Sequence, residues 1–196
     1  EGVSLAAHWD ELIETSYMVL NEAQCSTTGL ITNWWVPSQS TSAGAGGPSC
    51  SGSGTPAAEF GSEASRTAWR VAIDAVWFGD PVAIEWCRTL NSHVSAKLST
   101  CSAPWSCSAD LDTGCAVDSI HSGWLDNAFI LGPVLAALMV PLPYDDPQAS
   151  AQQAALDWAA NRLARWPIND YYSGSWLAIT TLTLSDSQAL ATILRT

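Results

Sequence analysis

Positive charge is scarce in this sequence. Seven Lys and Arg residues stand against nineteen Asp and Glu, which gives a formal net charge of −12 at pH 7. This balance repels phosphate backbones and anionic lipid surfaces, so we expect neither nucleic acid nor a membrane as a partner. Charged residues make up only 13% of the chain, a composition that is common among secreted proteins acting on neutral substrates.

Long apolar runs are also missing. No uninterrupted apolar stretch reaches the roughly 20 residues that a membrane-spanning helix needs, and no signal peptide is recognisable at the start. We therefore expect a mature, soluble chain, and the composition and cysteine count favour secretion. Its 196 residues are enough for one substantial core, so a single helical domain over residues 1–196 is predicted.

Cysteine is infrequent but even in number, and no pair of CxxC motifs marks a zinc site. Six cysteines fit three disulfides in an oxidising compartment, with fifteen pairings open. A bond between Cys25 and Cys50 would close a Gly/Ser-rich loop, and the remaining four would pair among themselves. The predicted disulfide residues are Cys25, Cys50, Cys87, Cys101, Cys107 and Cys115.

Tryptophan is the abundant aromatic residue, with eleven Trp against three Phe and four Tyr. Any one Trp is by default a core residue. An indole face also stacks well on a pyranose ring, so the excess favours carbohydrate binding. Trp34 and Trp35 are adjacent in a loop and cannot both face a core. Either one of them lines a cleft, or both pack under the following loop.

Apolar residues recur at helical spacing along most of the chain, which predicts an all-α fold of about seven helices. An amphipathic helix is expected over 5–24, a second from 62 to Phe78-Gly79, and a third that starts at Asp80-Pro81. Further helices are expected over 124–140, from the start signal Asp146-Pro147, through 176–182 and over 185–194. The β-branched run near Thr180 fits a strand equally well.

Irregular loops are predicted at about 25–60 and 99–123, where Gly, Ser, Pro and Cys accumulate. The second loop contains an acidic string at Asp110-Leu-Asp112. It lacks the glycine and the final Glu of a calcium loop. We therefore expect a solvated loop, and we expect no metal or cofactor in this protein.

The helix after Phe60 carries the most suggestive polar residues. Ser62 is predicted as its N-cap, and Glu63 then falls in the first turn, where a helix favours negative charge. Arg66 follows three residues later on the same face. The pair is either a catalytic carboxylate with a cationic partner or an ion pair that only stabilises the start of the helix.

Taken in order, these residues resemble the second half of a glycoside hydrolase family eight protein. The run 63–70, Glu-Ala-Ser-Arg-Thr-Ala-Trp-Arg, is the most specific part of the resemblance. The other matching residues are Trp9, Tyr17, Gly29, Leu30, Asn33, Trp34, Asp74, Gly79, Asp80, Tyr171 and Tyr172. The resemblance implies an (α/α)6 toroid of paired helices, of which this chain would supply roughly the C-terminal half. It also implies inverting, endo-acting hydrolysis of β-1,4-linked polysaccharides.

The resemblance also implies individual roles. Glu63 takes the place of the family's Asp general base, which is a departure by one methylene. Arg66 would lie beside the base in the sugar cleft and help to keep it ionised. Trp34 and Trp35 match a cleft-side aromatic segment, and Tyr171 and Tyr172 match tyrosines near the reducing-end subsites.

An inverting glycosidase needs a second, protonated carboxyl group, and in this family it belongs to the first half. Glu14 and Glu85 lie on ordinary amphipathic patterns and are interpreted as solvated. We therefore predict one part of a processed or two-chain enzyme, with a second polypeptide supplying the acid. A non-catalytic glycan-binding protein, or a structural helical protein whose Trp residues are all in the core, remain the alternatives. Chitosan and xylan remain alternative substrates.

Overall fold

The computed structural model describes residues 5–36, 47–48, 58–100, 117, 119–120, 127–167 and 170–185. Within these ranges the chain is mostly helical, which confirms the predicted all-α class; the toroid stays a prediction. The helices are α1 (Leu5–Ala23), α2 (Ser62–Phe78), α3 (Pro81–Thr100), α4 (Ala128–Leu138), α5 (Ala149–Ala164) and α6 (Tyr171–Ser185). The helix expected over 185–194 falls almost entirely outside the described residues.

Four two-residue strands accompany these helices. Strand β1 (Trp35–Val36) pairs antiparallel with β2 (Gly47–Pro48), and β3 (Glu59–Phe60) pairs parallel with β4 (Ser119–Ile120). The second pair fixes the residues just before α2 to a point in the second predicted loop. The run near Thr180, which fitted either helix or strand, is helical and belongs to α6.

The joint between α2 and α3 follows the sequence prediction. Gly79 adopts a left-handed conformation with φ of 68° and donates its N–H to the carbonyl of Ala75 at 3.2 Å, which closes the end of α2. Asp80 then accepts hydrogen bonds from the N–H groups of Val82 at 2.8 Å and Ala83 at 2.9 Å. The carboxylate is therefore the N-cap of α3, with Pro81 in the first helical position.

Helix α4 lies at the centre of the described fold. Its residues are apolar throughout, and every one except Phe129 is buried. It packs against α2, α3, α5 and α6. The helix was expected over 124–140. It begins after its N-cap residue Asn127 and ends at Leu138, with Pro133 inside its second turn. Residues 124–126 lie outside the described part of the chain.

Pro133 leaves α4 with one backbone hydrogen-bond donor fewer, and the neighbouring helix α2 supplies a replacement. Proline has no N–H group, so the carbonyl of Phe129, four residues earlier, loses its normal intrahelical partner. The Ser65 hydroxyl of α2 donates to that carbonyl at 3.0 Å, and Ser65 is 0% exposed. The Ser65 hydroxyl of α2 thus supplies the hydrogen-bond donor that Pro133 of α4 lacks.

Two sequence predictions are wrong, the helix start at Asp146-Pro147 and the disulfide role of Cys87. Helix α5 begins at Ala149, two residues after Pro147, because the Asp146 carboxylate accepts the Gln148 N–H at 2.7 Å and forms a turn instead of a helix start. Cys87 is a free thiol on the buried side of α3 and not a disulfide partner. Burial, with a smaller contribution from the charge of Asp74, raises the pKa of its thiol to about 12.

The remaining cysteines bear only partly on the predicted disulfides. Cys25 is disulfide-bonded, but Cys50, Cys101, Cys107 and Cys115 lie outside the described residues. Its pairing with Cys50 therefore stays a prediction.

Helix α1 departs most from its expected packing. Its amphipathic pattern predicts a buried stripe, yet Trp9 is 58% exposed, Leu12 54% and Ile13 48%. We call these three side chains the α1 apolar face. The later part of α1 is closer to the core, with Tyr17 and Leu20 partly buried and Ala23 buried. The Tyr17 hydroxyl donates to the Asp74 carboxylate of α2. Burial and this bond raise the pKa of Tyr17.

None of the described helices is long and apolar enough to cross a membrane.

The Ser65 bond gives a test of how α2 is fixed. Replacing Ser65 with Ala removes the buried hydrogen bond to the Phe129 carbonyl, so we expect a loss of about 0.5–1.5 kcal/mol in the free energy of unfolding. Chemical denaturation measures it. Ser16→Ala is the matched control, because the Ser16 hydroxyl bonds only to Leu12 within its own exposed helix. An equal, small loss in both variants would contradict this account.

Candidate active site

Glu63 and Arg66 form an ion pair at the start of α2. One guanidinium nitrogen of Arg66 contacts Oε2 of Glu63, and the side chains are 29% and 25% exposed, respectively. Glu63 lies in the first turn of the helix, where the N–H groups at the helix end favour a negative charge. The structure therefore brings the two predicted residues together as a partly shielded carboxylate and its cation, with access to solvent.

The start of α2 differs from the prediction. Gly61, not Ser62, is the N-cap residue, with extended φ and ψ of −134° and −150°. Glycine has no side chain that could accept the N–H groups of the first turn. Asn33 serves it instead, since its amide oxygen accepts the N–H groups of Gly61 at 3.1 Å, Glu63 at 3.2 Å and Ala64 at 3.1 Å. Sequence reasoning placed Asn33 in the family-like string but gave it no role, because local capping patterns cannot show a cap from 30 residues away.

The adjacent tryptophans have separate environments. Trp35, in β1, is half-buried and packs against the hydrophobic core. Trp34 is also half-buried, and Thr32 donates its hydroxyl to the Trp34 carbonyl at 3.0 Å. Because Trp34 directly follows Asn33, its backbone lies next to the end of α2 that carries Glu63. Trp34 is therefore the better of the two candidates for a cleft residue.

The tyrosines lie at the start of α6. Tyr171 is 88% exposed, whereas the Tyr172 ring packs on Phe129 with centroids 5.5 Å apart. Phe129 is the residue whose carbonyl accepts the Ser65 hydroxyl. Tyr172 is thereby linked to the residue that precedes Arg66, and Tyr171 has no such link among the contacts described.

The described residues contain no cluster of three or more His, Cys, Asp or Glu that could hold a metal ion. What they do offer is a carboxylate paired with a guanidinium group, together with indole and phenol rings on segments that contact α2 or its neighbours. Such a set can take a proton from water, bind hydroxyl groups and stack on a sugar ring.

Comparison with known proteins agrees with this chemistry. Residues 3–108 match the family described as glycosyl hydrolases family 8, so the chain belongs to that family. The matched stretch contains Glu63, Arg66, Trp34 and Trp35, and it ends before Tyr171 and Tyr172. No solved structure matches significantly.

Two curated proteins are similar to parts of the chain. A protein named beta-glucanase from Niallia circulans is 32% identical over 96 residues, which cover 47% of this chain and 23% of that protein. Endoglucanase A from Acetivibrio thermocellus is 27% identical over 137 residues, or 67% of this chain and 24% of that protein. The chain thus spans about a quarter of the length of either relative.

The crowded end of α2 gives a second prediction. A Cβ atom on Gly61 would lie 2.8 Å from the Asn33 amide nitrogen and 2.8 Å from a Glu59 carboxylate oxygen. Gly61→Ala should therefore displace the Asn33 amide and lower the free energy of unfolding by about 1–3 kcal/mol. Ser62→Ala, one residue along, should stay within about 0.5 kcal/mol. The opposite order in denaturation experiments would restore Ser62 as the cap.

Proposed function

We propose that this chain carries the general base of a secreted, inverting glycoside hydrolase that cleaves β-1,4-linked glucan within the polymer. Family membership over a stretch that includes Glu63 is the observation that supports it most directly. The ion pair with Arg66 and the access of both side chains to solvent are in keeping with that role.

In the proposed reaction Glu63 removes a proton from the attacking water while a protonated carboxyl group donates to the leaving glycosidic oxygen. The Arg66 contact occupies Oε2, so Oε1 is the oxygen that takes the proton. The nearby positive charge favours the ionised carboxylate between turnovers. Trp34 stacks on a sugar ring, and Tyr172 contributes at the reducing-end side.

The substrate class follows from the family and from the names of the relatives, which are a beta-glucanase and an endoglucanase. Cellulose or a related β-glucan is therefore the first choice. The net charge of −12 would attract cationic chitosan, which makes chitosan, with xylan, the comparison substrates. Release of reducing sugar from these three polymers ranks them.

The acid comes from outside this sequence in the proposed enzyme. The α1 apolar face supports this, because a cluster of large apolar side chains that is exposed among the described residues marks an interaction surface. That face and Tyr17 of α1, with Arg70 and Phe78 of α2 opposite them, border a groove of about 390 Å³. We assign the groove to a helix from the part of the catalytic domain that the longer relatives have beyond the matched stretch, carried here by a second polypeptide.

A non-catalytic glycan-binding protein is the second candidate, and one observation favours it: the position of the family's Asp base holds Glu63. Oligosaccharide binding without any release of reducing sugar from the assembled protein would establish that alternative.

The base assignment is tested by Glu63→Gln. The amide cannot take the proton from water, so we expect kcat to fall about 100- to 10,000-fold with KM little changed. Glu63→Asp, which restores the family's carboxylate, should recover much of the loss. The measurement is initial rates of reducing-sugar release.

A matched control is available on α3. Glu85 and Arg88 have the same i,i+3 spacing, with a 3.9 Å approach, and the Glu85 side chain is 75% exposed. Glu85→Gln should leave kcat unchanged. If Glu63→Gln behaved like Glu85→Gln, Glu63 would not be the base.

The α1 apolar face is tested by Ile13→Glu. A carboxylate buried without a partner costs several kcal/mol, so association with the second polypeptide should weaken by at least about 100-fold. Non-denaturing purification followed by mass measurement shows whether that polypeptide is retained. Glu14→Lys, on the exposed side of the same helix, is the control. A stable, monodisperse monomer of the unaltered chain would contradict the two-part enzyme.

A further inference from the structure

The segment before Trp34 makes an unusual contact with α2. In an ordinary N-cap, the side chain of the residue at the helix end accepts N–H groups of the first turn. Here the Asn33 oxygen accepts the same groups from a separate segment, including the N–H of Glu63 itself at 3.2 Å. Asn33 is only 8% exposed, so water does not compete well for these bonds.

The Asn33 amide has a defined orientation. Its nitrogen faces a Glu59 carboxylate oxygen at 3.5 Å, and its backbone N–H donates to the Glu59 carbonyl at 2.8 Å. Only the amide oxygen can accept the helix N–H groups, so the two ends of the side chain cannot exchange places without losing these bonds. Glu59, just before Gly61, thus holds the amide in place.

We infer that Asn33 is the positioning residue of Glu63. It does not touch the substrate; it fixes the backbone of the base and joins it to the segment that carries Trp34. One side chain thereby sets the base relative to a sugar-stacking aromatic residue. The inference rests on the proposed function, because it takes Glu63 as the base.

Three variants test the inference in the full protein. Asn33→Ala removes the acceptor. The double change Asn33→Asp with Glu59→Gln keeps an oxygen that can accept the same three N–H groups, and the new Gln amide replaces the carboxylate that would repel the Asp. Asn91→Ala is the matched control, because Asn91 is 0% exposed and its amide donates to the Val140 carbonyl at 2.6 Å, in a different part of the core. Hydrogen exchange at Gly61, Glu63 and Ala64 is measured beside kcat and KM.

We expect Asn33→Ala to speed exchange at these three amides and to lower kcat up to about 100-fold with KM within threefold, since small misplacements of a catalytic group have large effects. The double variant Asn33→Asp with Glu59→Gln should restore both the protection and most of kcat. Asn91→Ala should lower stability without selectively changing either quantity.

Two results would overturn the inference. Unchanged exchange in Asn33→Ala would show that the cap is not made, and faster exchange with kcat unchanged would show that it does not position the base. Failure of the proposed function has a different signature, in which Glu63→Gln retains full activity or the unaltered protein has none. The exchange data then decide by themselves whether Asn33 fixes the helix end that carries Glu63.

Discussion

A helix without a polar side has to be surrounded, and α4 is such a helix. All of its residues except Phe129 are buried, so α2, α3, α5 and α6 must pack around it. The close packing is tight enough at Gly132 that a Cβ atom there would lie 2.4 Å from the Thr180 hydroxyl of α6. The positions of α2 and α6, which carry all of the candidate site except the tryptophans, are therefore consequences of how α4 is covered.

The candidate base lies between two anchors on α2. On one side Asn33 holds the N–H groups of Gly61, Glu63 and Ala64. On the other, the Ser65 hydroxyl donates to the Phe129 carbonyl, which receives no N–H from Pro133. Both anchors fall within five residues, so the first turn of α2 has little freedom to slide or fray. The first turn of a helix is ordinarily its least constrained part, and here it is restrained from two different directions.

Much of the helical framework could be predicted from the sequence, because it depends on local chemistry. The apolar period predicted five helices close to their observed places, and Gly79 with Asp80-Pro81 predicted the joint between α2 and α3. The predictions that were wrong depended on contacts between distant segments. Ser62 is a favourable N-cap residue by its type. The N-cap position is Gly61, however, and the Asn33 side chain accepts the N–H groups of the first turn. Cys87 has a plausible spacing for a disulfide, but the buried side of α3 holds it away from solvent as a free thiol.

The dependence on distant contacts also explains why residue spacing alone could not decide between a catalytic role and a structural ion pair for Glu63. Glu63–Arg66 and Glu85–Arg88 are both i,i+3 pairs, and a sequence rule treats them alike. Glu63 lies in the first turn of its helix, where the N–H groups at the helix end attract a carboxylate, whereas Glu85 lies a turn further along α3, where that attraction has faded. Arg88 also donates to the Pro141 carbonyl at 3.0 Å, which draws it toward the end of α4 and leaves Glu85 mostly in water. A solvated pair of this kind contributes little, while the pair on α2 is shielded and held at a fixed helix end. The surroundings of the helix start, more than the identity of the two residues, make Glu63 the candidate base.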